Sequence, residues 1–93
     1  MTFKEIRSKI LPVLKKYDVS KASLFGSFVR GEEGTDSAVD LLVEFAGEKS
    51  LLDLAGLKIE LEELLGRTVD VLTYKSLHPL LKKAILSEQK VLL

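Results

Sequence analysis

Ninety-three residues, 46% hydrophobic and 30% charged, suffice for one globular domain with a modest core and leave no length for a second. Fourteen basic residues against fourteen acidic ones produce no overall field to gather bulk nucleic acid or an anionic membrane, so any nucleotide has to be held by a local site. Without cysteine there are no disulfides or thiolate metal centres, no apolar run approaches the ~18 residues of a membrane span, and the N-terminal charges are too scattered for a secretion signal; a single cytoplasmic domain over residues 1–93 is expected.

In chain order, Thr2 and Glu5 can form a capping box before Phe3, Ile6, Ile10, Val13, Leu14 and Tyr17, which recur at helical spacing, and Pro12 is expected to kink or divide this helix. Ala22 to Phe25 is a short apolar run stopped by Gly26 and reads as a buried strand. A brief helical turn after Ser27 leads through the polar "RGEEGTDS" to a second strand, Ala38 to Phe45. Ser50 and Asp53 suit the start of a helix from Leu51 to Leu65, with Gly66 as its C-terminal cap. Thr68 to Thr73 is the third strand. Ser76 and Pro79 suit the start of a last helix through Glu88, and the terminal "KVLL" can be helix, edge strand or partner contact. The alternation predicts an α/β (α+β) fold, a small sheet of about three strands flanked by helices.

Two strands carry the chemistry. With a period of two, Val39, Leu41, Val43 and Phe45 share one face of the second strand, and Ala38, Asp40, Leu42 and Glu44 the other; in the third, Val69 and Val71 oppose Asp70. If these strands are neighbours in suitable register, Asp40 and Asp70 lie about 5 Å apart on one side of the sheet. A cation relieves their repulsion, and Mg²⁺ characteristically takes a few carboxylates and completes its shell with water and substrate phosphate. The strand pattern alone leaves both aspartates equally open as solvated surface residues. Gly26 and Ser27 between a strand and a helical turn offer backbone N–H groups and a hydroxyl to phosphate oxygens, although a lone Gly-Ser is also simply a turn.

The arrangement Gly26-Ser27, ten residues, Ala38-Val39-Asp40, then Asp70 on a later strand resembles the minimal nucleotidyltransferases of the DNA polymerase beta superfamily, whose signature is Gly-Ser, ten residues and Asp-x-Asp, with a third carboxylate on the following strand. The resemblance runs through "LFGSFVRGE", "DSAVDLLVEF" and "LLGRTVDVLT" and implies the family's palm-like fold. It implies that Gly26 and Ser27 contact the triphosphate of ATP, that Asp40 bridges Mg²⁺ ions, and that Asp70 helps hold the ion that activates an acceptor hydroxyl. It also implies an aspartate at position 38, where this chain has Ala38. Asp36 shares that face but sits roughly 6 to 7 Å back along the strand, too far to substitute fully.

Arg30 and Glu32 match the family's "RGE" after the Gly-Ser turn; Arg30 can reach a phosphate, or the two can pair and shape the loop. His78 reads as a helix-end residue, and Lys82 and Lys83 as solvated. In the Leu51 to Leu65 helix, Leu51, Leu52, Ala55 and Ile59 mark one apolar side and Leu54, Leu57, Leu61 and Leu64 a second. A small sheet covers only one of them, so Leu57, Leu61 and Leu64 are expected either beneath a neighbouring helix or against a homo-oligomeric copy or protein partner. Small members of the family resemble antitoxins paired with a HEPN-domain toxin, to which they bind and transfer AMP. Two readings follow: an enzyme moving AMP from ATP to a partner hydroxyl, impaired by Ala38, or a non-catalytic antitoxin-like binding module of the same fold.

Overall fold

The computed structural model describes residues 2–26, 29 and 38–93. Helix α1 spans Phe3–Lys16, and the Thr2 side chain accepts the Glu5 N–H at 3.2 Å to cap it. Pro12 lies within α1 and does not divide it. Pro12 and Ser8, whose carbonyl loses its donor, are both exposed, so water can satisfy that oxygen. Strands β1 (Val19–Phe25) and β2 (Val39–Phe45) follow, then α2 (Leu51–Leu65), β3 (Val69–Thr73), a 3-10 turn (Tyr74–Ser76), α3 (Pro79–Glu88) and β4 (Lys90–Val91). The ends of α2 follow their local chemistry: Ser50 and Asp53 form a reciprocal capping box, and Gly66 closes the helix at φ 67°.

The sheet order is β3-β2-β1-β4. It has four strands where about three were expected, because the terminal "KVLL" supplies an edge strand antiparallel to β1. β1 and β2 are antiparallel, whereas β2 and β3 are parallel and joined through α2, as a parallel pair requires a crossover. Ile6, Ile10 and Leu14 of α1 and Leu57, Leu61 and Leu65 of α2 meet Ala22, Leu24, Val39, Leu41, Val43 and Val69 in one core on one face of the sheet. The opposite face carries Ser23, Phe25, Asp40, Leu42, Asp70 and Leu72.

That packing corrects the expected partner surface. Leu57 and Leu61 are 0% exposed and belong to the core, while Leu64 is 41% exposed. The stripe that faces out is the other one, with Leu51 and Leu52 each 84% exposed and Ile59 beside them. Periodicity distinguishes two stripes on α2, but the choice between them is made by α1, which shares the same sheet face and packs against α2.

β3 is an edge strand whose first residue is held by α2. Val69 N–H donates to Glu62 Oε2 at 3.0 Å, and Lys58 Nζ donates to Val69 O at 2.7 Å and to Glu62 Oε2 at 3.1 Å. Both backbone groups of Val69 are thereby satisfied by side chains one helical turn apart. The Val69 N–H, and then Lys58, hold the Glu62 carboxyl below its ordinary value, and the Ser50 cap does the same for Asp53.

Two outcomes follow. Leu57→Ala should lower unfolding free energy by about 2 to 5 kcal/mol in chemical denaturation, whereas Leu51→Ser should stay within about 0.5 kcal/mol; the reverse ranking would contradict this core. A carboxyl whose pKa is depressed by folding contributes stability that is present above its unfolded value and lost as pH falls through its folded value. Glu62→Gln keeps an acceptor for Val69 but not the charge, so its melting temperature should fall less steeply than the parent's between about pH 5 and about pH 3. Superimposable acid limbs would remove Glu62 from the account.

Candidate nucleotide and cation site

The register of β2 and β3 is Val39↔Val69, Asp40↔Asp70, Leu41↔Val71. Asp40 and Asp70 are therefore direct neighbours on adjacent strands, which lie about 4.8 Å apart. Both side chains point away from the α1–α2 core, Asp70 exposed and Asp40 half-buried. On the other side Asp40 is paired with Phe25, so one row across three strands reads Phe25, Asp40, Asp70. Ala38 lies just before β2, one strand period from Asp40, and is half-buried.

Gly26 ends β1 against Asp40. Its φ is 75°, a left-handed conformation that an L side chain adopts only with strain. A Cβ placed there would overlap Asp40 Oδ2 and lie 3.0 Å from Asp40 Cγ. Glycine at this position thus lets the strand-to-turn backbone and the Asp40 carboxylate occupy adjoining space. The resulting order is Asp70, Asp40, turn: two hard oxygen donors next to a backbone bend. Such a donor set fits Mg²⁺, which binds through one or two carboxylates when substrate phosphate completes the shell. Among the described residues no group of three or more metal-ligating side chains occurs, and the Ala38 side chain carries no oxygen.

The remaining candidates separate. Ser27, Arg30, Glu32 and Asp36 lie outside the described residues. His78 caps α3, its Nδ1 accepting the Leu80 N–H at 3.1 Å. Lys82 and Lys83 are exposed on α3. Four residues near the site, Ser23, Tyr74, Glu88 and Gln89, were absent from the sequence expectations. Ser23, fully buried on the Asp40 face, donates to Gln89 Oε1 at 2.7 Å and lies 2.9 Å from the Tyr74 hydroxyl, while Gly26 N–H donates to Glu88 Oε1 at 3.0 Å. The signal for Glu88 was the terminal "KVLL": paired antiparallel with β1 in the observed register, Ser23↔Val91 and Leu24↔Lys90, it carries Glu88 opposite Gly26. No helix among the described residues is long and apolar enough to cross a membrane.

The comparisons agree with this architecture over nearly the whole chain. A Methanocaldococcus jannaschii protein named "Putative protein adenylyltransferase" is 58% identical over 88 residues, covering 95% of each chain. The Thermococcus cleftensis "Protein adenylyltransferase MntA" is 42% identical over 93 residues, covering 95% of this chain and 93% of its own. A chain in the solved complex of a tri-AMPylated Shewanella oneidensis HEPN toxin with an MNT antitoxin shares the fold at a TM-score of 0.76 and 22% identity, over 97% of this chain and 71% of that one. The family described as "Polymerase beta, Nucleotidyltransferase" matches residues 8–93, and with that match the protein belongs to the polymerase beta nucleotidyltransferases.

Proposed function

We propose that this chain is an antitoxin-type protein adenylyltransferase that uses ATP and Mg²⁺ to modify a hydroxyl of a HEPN-domain toxin, with its catalytic power reduced by Ala38. The observation that carries the reading is the Asp40↔Asp70 register beside Gly26, two carboxylates next to a glycine bend on one face of the sheet. Supporting it are relatives named as protein adenylyltransferases and a structural neighbour from a complex of an AMPylated HEPN toxin with an MNT antitoxin.

In the reaction proposed, the acceptor hydroxyl oxygen bonds to the α-phosphorus of ATP, the bond from that phosphorus to the bridging oxygen breaks, pyrophosphate leaves and the hydroxyl proton passes to solvent. Asp40, between Asp70 and Gly26, would be the carboxylate that the acceptor side and the triphosphate side share. Asp70, at the exposed end of the row, is placed toward the approaching acceptor. Gly26 lets the backbone at the end of β1 lie against Asp40, and Ser27 and Arg30 are assigned to the phosphates from the family pattern. Bound Mg²⁺ would supply charge neutralisation of the phosphates and activation of the acceptor oxygen. Ala38 removes one anionic bridge from this set.

Ala38 also favours the second reading, a module that neutralises its partner by contact alone. The two separate on one substitution. With labelled ATP, Mg²⁺ and a HEPN-domain toxin, Ala38→Asp should raise AMP transfer by about 10² to 10³-fold, the size of one lost transition-state interaction, and adding Asp40→Ala should abolish the gain. Equal transfer with Ala38 and with the restored aspartate would remove position 38 from the site. Toxin neutralisation with no transfer by any variant would favour the contact-only module.

A further inference from the structure

The C-terminal residues run back along β1 as a strap. Val91 and Lys90 pair with Ser23 and Leu24; Ala22 N–H donates to Leu93 O at 3.2 Å, and Ala22 O accepts from Leu92 N at 2.8 Å and Leu93 N at 3.1 Å. Leu92 is buried in the core, and Arg7 Nε donates to its carbonyl at 3.1 Å. One residue before Lys90, Gln89 accepts the buried Ser23 hydroxyl. At the next, Glu88 Oε1 accepts the Gly26 N–H at 3.0 Å. The strap therefore grips β1 from Ala22 onward and finishes at Gly26, where no side chain would fit beside Asp40.

Gly26 is thus held from two sides. Its N–H is engaged by a carboxylate of the chain itself, and its α-carbon faces Asp40 with no room for a side chain. We propose that Glu88 is a positioning residue for nucleotide binding: by accepting the Gly26 N–H it fixes the backbone at the end of β1, so that Gly26 and the Asp40 carboxylate meet the triphosphate at a set spacing. The role needs an acceptor and not a charge. A hydrogen bond at a left-handed glycine selects one backbone state out of the many that glycine can reach, and the ordering cost is then met in folding and not in binding. The opposite role, a carboxylate occupying an amide that phosphate would otherwise take, predicts the opposite sign in the same experiment. The inference rests on the nucleotide site proposed above.

The test compares the unmodified chain, Glu88→Gln and Glu88→Ala. MgATP affinity is measured by titration calorimetry, hydrogen exchange of the Gly26 amide by NMR, and stability by thermal melting. Glu88→Gln keeps a side-chain oxygen acceptor and should bind MgATP within about twofold of the parent; Glu88→Ala should bind about tenfold more weakly, the loss of one hydrogen bond to a positioned group. Gly26 exchange should be slow in the parent and in Glu88→Gln, and fast in Glu88→Ala. Unchanged or tighter MgATP binding by Glu88→Ala would overturn the positioning role even if its melting temperature fell, since a purely structural tie moves stability alone. Equal Gly26 exchange in all three would overturn the contact itself. Slow parental exchange with no MgATP binding by the parent would overturn the nucleotide site and the positioning role with it, while leaving the contact intact.

Discussion

The site depends on the parallel pairing of β2 with β3 in the register that sets Asp40 beside Asp70. With a side-chain period of two, a slip of one residue would send one of these carboxylates into the α1–α2 core and bring a valine out. Val39, Leu41 and Val43 on one strand and Val69 on the other resist that slip by burying the same face. The Lys58–Glu62 pair adds a polar constraint at Val69, one residue from Asp70, so the helix that crosses between the two strands also fixes where the second begins. A hydrophobic preference thus delivers two charges to one place, and the cost of their repulsion is borne by a face that keeps Asp70 in water.

β1 brings the third component from the other side of Asp40. The residue that follows it, Gly26, lies too close to Asp40 for a Cβ, and the end of the strand is held by elements distant in sequence: the 3-10 turn through Tyr74 and the C-terminal strap through Gln89 and Glu88. Ser23 is buried without penalty because two of these partners satisfy its hydroxyl. The Tyr74 side chain starts beyond the end of β3 and reaches Ser23 on β1, and so has to cross β2 at Leu42, which is fully buried although it lies on the face opposite the two long helices. The carboxylate face of the sheet is therefore covered over Ser23 and Leu42, while Asp70 at its edge stays exposed.

Much of this was legible in local chemistry. The Ser50–Asp53 box and Gly66 mark α2 because caps depend on neighbours three or four residues away, and the alternation in Val39 to Phe45 assigns the aspartate face without reference to any other element. The failures have a common physical origin in tertiary packing. Pro12 was expected to kink or divide α1 and does not divide it, Ser8 and Pro12 both lying on its exposed side. Leu57 and Leu61 were left open between a neighbouring helix and a partner because a small sheet covers only one of the two stripes of α2, and the position of α1 decides for the helix. The terminal strand carries no strong strand pattern of its own; it exists because β1 has a free edge and Leu92 has a place in the core. The contact between Glu88 and Gly26, 62 residues apart, follows only once that pairing is known.

The central claim is that Asp40, Asp70 and the bend at Gly26 form one site for a divalent cation and a triphosphate. Titration of the isotopically labelled chain with Mn²⁺ in the presence of ATP, followed by paramagnetic broadening of backbone amides, tests it directly, Mn²⁺ standing in for Mg²⁺. The account predicts that the amides of Gly26, Asp40 and Asp70 broaden first and together, and do so at lower Mn²⁺ in Ala38→Asp. Broadening centred instead on the acidic residues of α2, Glu60, Glu62 and Glu63, with the amides of Gly26, Asp40 and Asp70 unaffected, would contradict it.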